Sequence, residues 1–146
     1  MQKLNQSYIN SIVRKALEED LRPRGDITTK LINSKNKIIK AKIVAKQDGI
    51  IAGLDFCKAA FKLIGRETVF IKKISDGKKI KKNKMIAEIR AKIKTILIAE
   101  RTALNFLNHA SGIATLTDQF IKKTSKKTKI CCCLLYTSPS PRDKTV

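Results

Sequence analysis

The stretch Ile38–Gly53, IIKAKIVAKQDGIIAG, decides the fold class. In its first half Ile39, Ala41, Ile43 and Ala45 alternate with Lys40, Lys42, Val44 and Lys46. A period of two sends successive side chains to opposite faces, so this half is predicted to be a strand with one buried face. Asp48-Gly49 has turn chemistry, and Ile50–Ala52 is predicted to return as a second strand ended by Gly53.

Working outward, the carboxyl side continues the alternation of elements. Asp55 is expected to cap a short helix carrying Phe56, Ala59, Ala60 and Leu63, closed by Gly65. Val69–Ile74 reads as a third strand and Asp76-Gly77 as a turn. Met85, Ala87, Ile89 and Ala91 again share one face of a strand. On the amino side, Ile9, Ile12, Val13, Ala16 and Leu17 recur at helical spacing between Tyr8 and Leu21, with Asn5 or Ser7 as cap and Pro23 and Gly25 as the stop. Short strands joined by tight turns and mixed with helices indicate an α+β domain with a small antiparallel sheet.

Lys94–His109 is helical and apolar around most of its circumference, which predicts burial. A second helix is expected from Gly112 to Lys123, capped by Ser111, with Ile113, Leu116, Phe120 and Ile121 facing inward. The expected division is therefore residues 1–110 as the α+β domain, 111–130 as a following helix, and 131–146 as a tail that is not native sequence. The tail Cys133–Asp143, CLLYTSPSPRD, contains no lysine or isoleucine, unlike the rest of the chain, and reads as translated sequencing adapter.

Composition narrows the function classes. The net charge is +20, from 32 Lys+Arg against 12 Asp+Glu. The lysines are scattered and accompany excess Ile and Asn, which is the pattern of a codon bias rather than of a basic patch. Aromatic residues are 5% of the chain, too few to offer stacking platforms to single-stranded nucleic acid. No apolar run is long enough to span a bilayer, and Met1–Ser7 is polar, without the apolar block of a signal peptide. A cytoplasmic protein with neither nucleic-acid nor membrane partner is expected. Cys57 lies in an apolar helical stretch and reads as core, and Cys131, Cys132 and Cys133 lack the spaced pairs of a zinc site.

The chemistry-bearing residues gather around position 100. Arg101, Asn105 and His109 are spaced by four and form one polar stripe on a helix expected to be buried. A buried guanidinium needs a partner. Either Arg101 pairs with a carboxylate of its own domain, or it faces a cleft and holds an anionic ligand, bidentately for a carboxylate. His109 has no second catalytic group beside it in the sequence. The small residues of Ser111–Thr115 suit close helix packing, with an anion at free helix N–H groups as the other reading. Glu19, Asp20 and Asp26 are acidic neighbours that read as cap and charge-balancing residues rather than as a metal site.

These motifs together resemble the opening of the quinolinate phosphoribosyltransferases. Glu19-Asp20-Leu21 before Gly25-Asp26-Ile27-Thr28-Thr29, then Asp48–Gly53, Glu100–Leu107 (ERTALNFL) and Ser111–Thr115 (SGIAT) occur in the family's order and spacing. The resemblance covers about residues 8–130. It implies an amino-terminal α/β sandwich followed by a β/α barrel that this sequence lacks. It also implies conversion of quinolinate and phosphoribosyl pyrophosphate to nicotinate mononucleotide, pyrophosphate and CO2, with Mg2+, in de novo NAD synthesis. In such enzymes subunits pair so that the sandwich of one covers the barrel site of the other, and Arg101 corresponds to the arginine that binds the quinolinate carboxylate there. No catalytic residue or metal ligand is expected within these 146 residues, and the chain by itself is expected to be inactive. Where the family continues into a Thr-Arg-Lys-Thr motif, this chain has Cys132 and Cys133. Two other classes are weighed. Ile74–Ala91 looks like half of a biotinyl/lipoyl-type hammerhead, but without its modifiable Lys flanked by methionines. The charge suggests a basic nucleic-acid-binding domain. Within the enzyme class, a phosphoribosyltransferase-like protein tied to molybdenum transport shares the fold.

Overall fold

The computed structural model describes residues 4–21 and 37–124. The expected turn at Pro23–Thr29 and the tail at 131–146 lie outside the described residues. The chain divides into two compact units, Met1–Thr115 and Leu116–Val146.

In the first unit, helix α1 (Gln6–Leu21) begins where Asn5 caps it: the Asn5 Oδ1 accepts from the Ser7 N–H at 2.9 Å, and its carbonyl accepts from Ile9. Its buried side chains, Ile9, Val13 and Leu17, are four apart, as the sequence pattern requires. They pack on helix α2 (Leu54–Ile64), which contributes Leu54, Cys57, Ala60 and Phe61 to the core.

The sheet is antiparallel. Strand β1 (Ile38–Val44) pairs with β5 (Met85–Lys92), and β5 pairs with β3 (Val69–Lys72), giving the order β1-β5-β3. The lysines of β1 are exposed and Ile43 is buried, in the alternation read from the sequence. Strand β5 is the central strand and departs from it. Ile86 is buried along with Ala87, Ile89 and Ala91, so both faces are covered at its amino end.

The second expected strand does not fold back on β1. Strand β2 (Gly49–Ile50) pairs with β4 (Lys79–Ile80) in a separate two-stranded sheet. Asp48 fixes this arrangement by accepting from the Lys82 N–H at 2.8 Å and the Lys81 ammonium at 2.9 Å. Both interactions hold its carboxyl below the usual carboxylate range, the backbone N–H foremost.

Helix α2 also starts differently from the reading. Asp55 does not cap it. Gly53 is the N-cap residue, at φ 93°, and the carboxylate of Asp76 accepts from the N–H groups of Gly53 and Leu54, each at 3.2 Å. Asp55 instead pairs with Lys72 on β3 at 2.6 Å. The turn at Asp76-Gly77 thus serves two ends: Gly77 turns the chain at φ 81° while Asp76 caps a helix 22 residues earlier.

The largest correction concerns the last helix. No break occurs at Ser111. Helix α3 runs from Ile93 to Lys123, 31 residues. A glycine in a helix interior costs about 1 kcal/mol relative to alanine, which the flanking contacts of Ser111 and Thr115 described below offset. In the second unit the described part is the end of this helix, where Lys122 pairs with Asp118. The expected inward face is not buried: Ile113, Leu116, Phe120 and Ile121 keep 53–56% of their exposure. Helical periodicity identifies an apolar face but not what covers it.

Candidate functional site around Arg101

Helix α3 is built with two faces. Ile96, Ala99, Thr102, Ala103 and Leu107 are buried, and three of these five are small, which lets the helix lie close to its neighbours. Glu100, Arg101, Asn105 and His109 lie on the exposed side. The stripe of polar residues therefore exists, but it is not buried as the sequence suggested. The reason is that alanines and threonine fill the core-facing positions, so the larger polar residues are left outside.

Arg101 has 80% of its side chain exposed, and its Nε lies 3.9 Å from Asp20 Oδ1. That distance is too long for a hydrogen bond, and an exposed pair of this kind contributes only about 0–1 kcal/mol. Asp20 itself is well held. Its Oδ2 accepts from the hydroxyl of Thr102, which is 2% exposed, at 2.5 Å. The carboxyl end of α1 is thereby tied to α3 beside Arg101. Sequence reading placed Asp20 among charge-balancing residues and missed this bond; a threonine on the apolar face of α3 was the available signal.

The helix also clamps the Asp48–Gly53 segment. The Ile50 N–H donates to Thr115 Oγ1 at 2.8 Å. The Ala52 N–H donates to Ser111 Oγ at 3.0 Å, and the Ser111 hydroxyl donates to the Ala52 carbonyl at 3.1 Å. A side chain at Gly49 would come within 2.8 Å of Thr115 Oγ1, and one at Gly53 within 3.1 Å of both the Phe106 carbonyl and Ala110 Cβ. Phe56 stacks on Phe106 at 5.3 Å between centroids. Ser111–Thr115 is thus a packing motif inside a continuous helix. Its N–H groups are not at a helix start, so the anion-site reading fails there.

A cleft of about 640 Å³ opens beside β1, β2 and α3. It is lined by Ile43, Ile89, Ile96 and Leu107, with Lys42 and Lys46 its cations; Arg101 is not part of it. Its walls are largely apolar. Among the described residues no three His, Cys, Asp or Glu side chains come together as metal ligands. Among them, too, no helix is long and apolar enough to cross a membrane. Cys57 is core, as expected, and burial pushes its thiol up to about 12.

Comparison with known proteins agrees with the family resemblance. Residues 26–111 match the family described as quinolinate phosphoribosyl transferase, N-terminal domain. The chain is 40% identical over 129 residues to the probable nicotinate-nucleotide pyrophosphorylase (carboxylating) of Methanocaldococcus jannaschii, covering 86% of this chain and 44% of that one. It is 36% identical over 109 residues to quinolinate phosphoribosyltransferase (decarboxylating) 1 of Nicotiana glauca, covering 75% and 31%. Among solved structures, the nicotinate-nucleotide pyrophosphorylase of Francisella tularensis superposes with a TM-score of 0.76 at 31% identity, over 82% of this chain and 42% of that one. NadC of Streptococcus pyogenes gives 0.79 at 31%, over 84% and 43%. The chain spans less than half the length of these relatives. The chain belongs to the quinolinate phosphoribosyl transferase family, whose N-terminal domain its residues 26–111 form.

Proposed function

We propose that this chain supplies the amino-terminal domain of an enzyme that joins quinolinate to phosphoribosyl pyrophosphate, releasing pyrophosphate and CO2 and leaving nicotinate mononucleotide. Within it, Arg101 contacts a carboxylate of quinolinate. The observation that carries this role is that Arg101 stands exposed on the helix that bears the family motif, with a partner too distant to account for it as a stabilising ion pair. A guanidinium presents a planar fork that matches a carboxylate with two parallel hydrogen bonds, and fixing a dicarboxylate orients its ring nitrogen toward the sugar carbon.

The rest of the reading follows from the family resemblance. The enzyme works as a homodimer in the cytoplasm, with Arg101 reaching the partner's site and Mg2+ accompanying the pyrophosphate substrate. The family's barrel is where the catalytic and metal-linked residues are expected, and the 146-residue polypeptide alone is proposed not to turn over.

The test is a chimera in which residues 4–124 replace the corresponding part of the Methanocaldococcus relative. CO2 release from quinolinate should depend on phosphoribosyl pyrophosphate. Arg101→Ala should lower kcat/KM for quinolinate by about 10- to 100-fold, the loss expected for a charge-assisted bidentate contact. An unchanged kcat/KM in that variant would remove Arg101 from the site. Turnover by the 146-residue chain alone would overturn the assignment of the chemistry to residues outside it.

A further inference from the structure

Asp20 makes two contacts with consecutive residues of α3, and they differ in kind. Oδ2 receives the buried Thr102 hydroxyl at 2.5 Å, a short bond that fixes the carboxylate. Oδ1 faces Arg101 Nε at 3.9 Å, near enough to attract it and too far to bind it. The contact is through Nε, on the shaft side of the guanidinium, so the terminal Nη pair is left to meet a ligand. Asp20 is 28% exposed against 80% for Arg101, so the carboxylate is the enclosed member and the guanidinium the solvent-facing one.

We infer that Asp20, pinned by Thr102, is a positioning residue for Arg101: it draws Nε toward α1 and thereby orients the Nη fork for a substrate carboxylate. This rests on the reading of Arg101 as a quinolinate contact. Two opposing effects follow from a carboxylate beside an anion-binding arginine. Its charge weakens anion binding through Coulomb repulsion, while its attraction for Nε reduces the rotamer freedom that a ligand must otherwise remove. Orientation wins if the carboxylate is rigid, and the Thr102 bond makes it so.

The two effects separate by substitution in the full 146-residue chain. Asp20→Asn keeps an oxygen that can accept from Thr102 and removes the charge. Thr102→Val keeps the charge and the shape and releases the carboxylate. Nitrogen relaxation of the Arg101 Nε–H, measured without ligand, should show greater order than that of the exposed Arg66, and both variants should erase the difference. Titration with pyridine-2,3-dicarboxylate of the chimera described above, which supplies the barrel, should show binding weakened about three- to tenfold in each. Tighter binding in Asp20→Asn with no change in Thr102→Val would show that charge alone acts and would overturn the inference. So would an Arg101 Nε–H as disordered as that of Arg66 in the unsubstituted chain. Arg101→Ala distinguishes the two levels. If it leaves dicarboxylate binding unchanged, the substrate role of Arg101 fails; if it abolishes binding while Asp20→Asn changes neither order nor affinity, only the positioning role fails.

Discussion

Thr115 Oγ1 accepts the N–H of Ile50 at 2.8 Å, across 65 residues of sequence. The bond satisfies a backbone donor that the two-residue strand β2 leaves outside its pairing with β4. It also explains Gly49, because a methyl group there would press on the same oxygen.

Thr115→Val keeps the shape and removes the acceptor. It should destabilise the chain by about 1–3 kcal/mol, the cost of an unsatisfied, partly buried N–H. Gly49→Ala should cost a similar amount by overpacking. Urea unfolding followed by circular dichroism checks both. The double variant should cost less than the sum, since the two substitutions strike one contact.

Gly53 combines a left-handed φ of 93° with a close approach to α3. Gly53→Ala should cost about 1–3 kcal/mol from strain alone. Asp76→Ala should cost about 0.5–2 kcal/mol by removing the cap of α2. Asp55→Ala should cost less than Asp76→Ala, because Asp55 makes a surface pair with Lys72 and caps nothing. Equal losses at Asp55 and Asp76 in thermal melts would contradict this assignment of the cap.

Cys57 should resist alkylation. Burial raises its thiol to about 12, so at pH 8 almost none of it is thiolate. In a variant with Cys131, Cys132 and Cys133 replaced by serine, iodoacetamide should label Cys57 only as fast as the protein opens. Labelling at the rate of a free thiol would place Cys57 outside the core.

Asp48 gives the pH dependence a sign. Its folded carboxyl titrates below the unfolded value near 3.8, because the Lys82 N–H and the Lys81 ammonium favour the charged form. In the interval between the two values the unfolded chain binds more protons, so stability rises with pH. The contribution is complete above the unfolded value and is lost as pH falls through the folded one. Glu67 shifts in the same direction, through its own backbone N–H and Lys92. Asp48→Asn should therefore flatten part of the acid limb of a stability profile between pH 2 and 5 and leave its slope above pH 6 unchanged.

What the sequence made legible follows from how strongly each pattern constrains structure. Strand β1 was readable because Lys40 and Lys42 cannot share a face with Ile39, Ala41 and Ile43 without being buried. Helix α1 was readable because three turns of apolar spacing lead to one buried face. The pairing of β2 with β4 was not, since two residues have no periodicity and the pairing is set by Asp48 and Lys82. The continuity of α3 was hidden because Ser111-Gly112 carries the local chemistry of a helix start, and only the tertiary contact with Ala52 shows where the serine is used. Arg101 was singled out by its type and spacing. Its exposure and its relation to Asp20 depend on where α1 ends against α3, which no local pattern encodes.

The bonds from α3 to the Asp48–Gly53 segment also set an order of events during synthesis. Ile50 waits for Thr115 and Ala52 for Ser111, so these partners are separated by 65 and 59 residues. At roughly 5–20 residues per second, a ribosome needs several seconds to make that span. The nascent Asp48–Gly53 segment keeps these donors unpaired until most of α3 has left the exit tunnel, whereas β1 can pair as soon as β5 emerges, so the clamp closes after the sheet.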